Sequence, residues 1–139
     1  MSGIEFDQQD EDSWTCSSIR VAGIDFCLTL SSDDRPDDAY TENALQKMAD
    51  VNALILKASA LILENYSYQY FRQLGVEESL LLKEETPEGM SKAVTLLSVW
   101  FQEPSCENFE LSFTVPWDPH HTFDVEFEFD EPTSFAVNG

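Results

Sequence analysis

The stretch WDPHH, Trp117 to His121, is the one compact polar constellation in a chain of 139 residues. Asp118, His120 and His121 offer a carboxylate and two imidazoles, a donor set that suits a divalent metal. Adjacent histidines on a strand point to opposite faces, so both reach one ion only from a turn. Spacing suggests no fourth ligand, and the competing reading is that Asp118 and Pro119 shape a hairpin connection while Trp117 anchors it in the core. Elsewhere the catalytic inventory is thin. These are the only two histidines, and the chain has no glycine-rich phosphate loop, GxSxG, HExxH or CxxC. The residues point to no cofactor and no catalytic group, and a metal-dependent enzyme built on Asp118, His120 and His121 stands as the rival to a binding function.

The second set of chemistry-bearing residues follows at once. Phe123, Val125, Phe127 and Phe129 alternate with Asp124, Glu126, Glu128 and Asp130, so a strand here buries four apolar residues and presents four carboxylates on its other face. Same-face side chains on a strand lie roughly 6.6 to 6.8 Å apart. An acidic outer face is ordinary for a half-exposed strand; its lack of mixture is not. No Lys or Arg follows Lys92, while Glu103, Glu107, Glu110 and the whole ladder do. Unmixed charge weakens a fold by self-repulsion and is relieved by a cationic partner. Asp118, Asp124, Glu126, Glu128 and Asp130 are therefore the expected partner-binding residues.

The whole chain shares this bias: 27 Asp and Glu against 7 Lys and Arg give a formal net charge of −20. Such a field repels nucleic acid and anionic membranes and speeds encounter with a basic protein. A hydrophobic content of 42% with ten Phe is too apolar for a disordered acidic tail. Cys16, Cys27 and Cys106 are odd in number and lack paired spacing, and the acidic start MSGIEFDQQDEDSW is unlike an export signal. The longest mainly apolar stretch, 51–63, is too short to span a bilayer. A cytoplasmic protein with reduced thiols is expected, with its oligomeric state left open.

The elements that position these groups follow from periodicity. Residues 1–13 carry five acids and little to bury, predicting a flexible acidic arm ahead of a single domain over 14–139. Strands are predicted at 15–21 and 24–30, joined by a tight turn at Ala22-Gly23. Apolar residues then recur at spacings of three and four from Leu45 to Leu74, predicting one helix of about 31 residues that ends at Gly75 and bends near ENYSYQY. Thr86-Pro87-Glu88 starts a short second helix. Strands follow from VTLLSVWFQ, with Leu97, Val99 and Phe101 on one face and Leu96 and Trp100 on the other, from FELSFTV, from the ladder, and from SFAV at 134–137. The expected fold is α+β: a twisted, mainly antiparallel sheet of five to six strands, with one long helix across one face and a second short one.

The run Trp117-Asp118-Pro119-His120-His121-Thr122, preceded by TPEGMSKAVTLLSVWF and FELSFTV, resembles a family of small uncharacterised bacterial domains of the immunity type. These end in a W-D-x-E-H-G motif followed by a short strand. The resemblance covers about residues 60–139. His120 stands where the family has Glu and Thr122 where it has Gly, so only Trp117, Asp118 and His121 carry over. It implies a bacterial immunity or antitoxin-type protein that neutralises a basic toxin or effector by direct binding. The alternative is a nucleic-acid-mimicking acidic adaptor that uses the same charges against many nucleic-acid-binding proteins.

Overall fold

The computed structural model describes residues 4–139. Its chain is α+β: a seven-stranded sheet in the order β1 to β7, with four helices inserted between β3 and β4. The strands are β1 Asp7–Asp10, β2 Ser13–Val21, β3 Ile24–Ser31, β4 Thr95–Phe101, β5 Asn108–Val115, β6 Asp118–Glu128 and β7 Glu131–Asn138. The helices are α1 Asp38–Met48, α2 Val51–Glu64, α3 Tyr68–Gln73 and α4 Pro87–Ala93, with a single 3-10 turn at Glu78–Leu80. Neighbouring strands run antiparallel except β3 and β4. Parallel neighbours need a long crossover, and the helical segment supplies it.

Alternation decides the two faces of the sheet. Phe26, Leu28 and Leu30 of β3, Val99 and Phe101 of β4, Phe109, Leu111 and Phe113 of β5, and Phe123, Val125 and Phe127 of β6 are all buried, packed with Met48, Val51, Ala58 and Ile62 of the helices. Cross-strand pairing places Phe101, Phe109 and Phe127 in one row, with ring centroids 5.2 and 5.0 Å apart. On the opposite face Trp100, Glu126 and Glu128 are exposed, and this is the open face of the sheet.

Five sequence expectations change. The segment read as an acidic arm supplies an element: Phe6 is buried in the core and Asp7–Asp10 pairs with β2, adding a strand to the five or six expected. Residues 1–3 lie outside the described residues. The single long helix is three. It breaks at Ala49-Asp50, after which Val51 meets the core, and again where Ser67 accepts the Tyr70 N–H and caps α3. Leu96 and Leu97 exchange faces, because the β4–β5 register slips between Leu96 and Ser98. The β5–β6 connection is the two-residue turn Pro116-Trp117, so Asp118 to His121 belong to β6 and are not the hairpin loop.

The fifth is Phe129, expected inside. It is 56% exposed and sits at φ 58° in the β6–β7 turn, where Glu128 pairs with Glu131. A positive φ clashes with Cβ and costs about 1–2 kcal/mol for a residue other than glycine. Phe129→Gly should therefore raise stability by about 1 kcal/mol. An unaltered or lower denaturant midpoint would show that the Phe129 side chain contributes more than its exposure suggests. The turn at Ala22-Gly23, both with positive φ (52° and 80°), has the geometry a two-residue hairpin requires.

Candidate functional site

The open face of β4 to β6 assembles the carboxylates. Register pairs Trp100 with Glu110 and Glu110 with Glu126, and in the next row Ser112 with Asp124. Glu126 and Glu128 are exposed, and Glu110 is half-buried. β4 to β7 contain no Lys or Arg, so nothing on these strands neutralises the cluster. Partial burial and then the neighbouring charges of Asp124 and Glu126 push the Glu110 carboxyl above the ordinary carboxylate value. Trp100 stands beside this row, 41% exposed, its indole N–H donating to Ser31 Oγ at 2.7 Å.

The five residues expected to meet a partner do not form one surface. Glu126 and Glu128 face out as the alternation requires. Asp124 does too by direction, but it is buried at 8% exposure, because β7 covers its flank and both the Asn138 amide and the Thr122 hydroxyl donate to its Oδ2. Its Oδ1 has no hydrogen-bond partner, which is costly for a buried acceptor. Asp130 lies in the β6–β7 turn, off the open face, and takes a 2.7 Å ion pair from Lys47 of α1, whose hydrogen bond holds its carboxyl below the usual range. Asp118 belongs to a different feature altogether.

That feature is a cleft of about 750 Å³ on the helix side of the sheet, between α3, the start of β6 and β7. Tyr66, Phe71 and Trp117 form its wall, with Tyr66 edge-on to Trp117 at 5.1 Å and Phe71 5.9 Å from Tyr66. A glycine cap shapes the wall: after α3 the Gly75 N–H bonds Arg72 O and the Val76 N–H bonds Phe71 O, with Gly75 at φ 90°. At the rim Asp118 Oδ1 lies 2.6 Å from His121 Nδ1. Register explains the contact: Phe113 pairs with Phe123 and Val115 with Asp118, so Pro119 to Thr122 arch out opposite Thr114. With Nδ1 spent on Asp118, the Cδ2–Nε2 edge of the His121 ring lies close to Gly139. His120 lines the same cleft. Among the described residues no group of three His, Cys, Asp or Glu side chains is placed to hold a metal ion.

The sequence reading missed this cleft and the companionship of Trp100 with Glu110. The second was accessible, since alternation already set Trp100 on the face opposite Val99 and Phe101. The cleft was not, because its walls come from segments more than 40 residues apart.

Linkage gives the open face a measurable signature. A carboxyl whose folded value is raised binds its proton more tightly in the folded state, so it favours the fold at low pH. That advantage is lost as pH climbs from the ordinary carboxylate value through the raised one. Glu110→Gln removes the loss and should be more stable than the parent at pH 7, the gap closing near pH 4. Equal pH profiles in paired denaturation curves would rule out Glu110 as a repelled group.

No helix of the described residues is long and apolar enough to cross a membrane. The chain matches no protein-family model, no curated protein and no solved structure.

Proposed function

We propose that this chain is a binding protein of the bacterial immunity or antitoxin type, one that neutralises a basic protein partner by direct contact through the open face of β4 to β6. The observation that carries the reading is the row Trp100, Glu110, Glu126. It sets an exposed aromatic beside carboxylates that repel one another and have no cation on their own strands. Carboxylates in such a row steer a basic surface to the encounter. An exposed tryptophan supplies what long-range charge cannot, a large apolar contact that slows dissociation and that an arginine can stack upon. Asp118 and His121 lie away from this face, and the reading assigns them no step in a reaction.

The test is selectivity. Immobilised protein challenged with its source lysate at physiological salt should retain one basic protein, whose activity is lost on addition of one equivalent of the chain. Retention of many nucleic-acid-binding proteins, all released at the same modest salt and displaced by DNA, would replace the dedicated partner with the acidic mimic. Retention of none would end both readings.

A further inference from the structure

We propose that the free edge of β7 accepts an extended segment of the partner as an eighth strand, and that this segment alternates apolar with Lys or Arg side chains; the proposal rests on the cationic-partner reading. β7 is the last strand of the sheet and pairs as a strand only with β6; Lys57 of α2 bonds its first residue, Glu131. Proteins usually blunt such an edge with charge, proline or brevity. The other edge, β1, is four residues long and carries Asp7 and Asp10. β7 has Glu131 and Pro132 only at its start, and from Thr133 to Asn138 it contains neither a charge nor a proline. Unpaired, uncharged backbone runs along its second half.

The two sides of this edge differ, and the difference selects the occupant. Phe135 and Val137 line the aromatic cleft, with Phe135 edge-on to Phe123 at 5.7 Å and Val137 47% exposed. On the other side register sets Ser134 beside Glu126 and Ala136 beside Asp124. An added strand would lie roughly 4.8 Å beyond β7 with its side chains alternating between the two sides. One set would enter the mouth of the cleft. The other would cross the small side chains of Ser134 and Ala136, a gap of roughly 9–10 Å to β6 that a long basic side chain spans and a short one does not. Lys or Arg so placed meets Glu126 and offsets its repulsion with Glu110, its partner across the register. A second copy of this chain fits the edge poorly, since it brings a further net charge of −20 to the same place.

The probe is a synthetic heptapeptide, Lys-Val-Lys-Phe-Lys-Val-Lys, with two isomers N-methylated at alternate residues. N-methylation keeps charge and side chains but removes hydrogen-bond donors, and in a strand the donors of alternate residues point to opposite edges. The parent peptide should bind and slow amide exchange at Ser134 to Asn138. One isomer should bind roughly tenfold or more weakly while the other binds like the parent. Val137→Lys, at an exposed position, should weaken the parent peptide with the fold intact by hydrogen exchange. Equal binding by both isomers would overturn the edge pairing and leave the cationic reading standing. A glutamate-for-lysine peptide that binds as tightly would overturn the cationic occupant and with it that reading. A concentration-dependent dimer abolished by Val137→Lys would give the edge to a second copy instead.

Discussion

Phe127→Ala is expected to cost about 3–5 kcal/mol, the loss typical of a large aromatic truncated in a closed core. Its side chain is 2% exposed and lies nearly parallel to Phe109, centroids 5.0 Å apart and ring planes 7° from each other. Phe109 in turn packs on Phe101, so the cavity would open at the β6 end of a three-ring row spanning β4, β5 and β6, against the ring at its centre. Backbone pairing on both sides prevents β6 from collapsing into it, which argues for the upper part of the range. Against a total stability of about 5–15 kcal/mol for a domain of this size, that is about a fifth or more. Phe129→Ala is the control, since the same truncation two residues on removes a ring that is 56% exposed. Denaturant midpoints decide it: a Phe127→Ala curve superimposed on the parent would mean that the apolar side of β6 is not core. Any binding through the open face should suffer in proportion to unfolding alone, because Phe127 lies in the core on the helix side of the sheet.

The contrast between Phe127 and Phe129 also shows what was readable beforehand. Period-two alternation placed Phe123, Val125 and Phe127 inside and Glu126 and Glu128 outside, because one face of β6 is buried and a slip by one residue would expose its whole apolar set. The α+β class followed from the same reasoning. Alternation is silent on where a strand stops or slips. Phe129 continues the pattern but belongs to the turn, since the chain must reverse for β7 to pair with β6. Leu97 broke the pattern at a bulge. β1 shows no alternation at all, and what holds it is backbone pairing with β2 and the burial of Phe6, neither of which its polar composition discloses. Helical periodicity likewise ran through Asp50, and near Ser67 it disclosed a bend within ENYSYQY but not the break, because a short break barely changes the phase of the stripe. For the site, charge was legible and its arrangement was not. That Asp130 would find Lys47, 83 residues earlier, and that Asp118 would hold His121 at a cleft depend on tertiary structure.

Glu110→Gln, Glu126→Gln and Glu128→Gln combined should move two quantities in opposite directions. Association with a basic partner at low salt should slow by about tenfold, within the range by which a one-sign surface accelerates encounter, and its dependence on salt should flatten. Stability at pH 7 should rise, because the like-charge pair Glu110 and Glu126, set directly opposite each other by register, no longer repels. Asp124 is left unchanged in this variant, since its Oδ2 accepts from Asn138 and Thr122 and its loss would disturb β7. The opposed signs are what make the outcome informative. A surface acidic merely for solubility would gain stability on neutralisation with no change in any association rate. A surface whose charges serve folding would lose stability, and binding with it. Only a face that keeps its repulsion for the sake of a partner predicts a more stable protein that finds its partner more slowly, and stopped-flow association at two salt concentrations beside a denaturation curve measures both. An unchanged rate at low salt would move the interface elsewhere on the molecule, and the β7 edge, which meets only Glu126 of these three, would then have to hold its partner without steering.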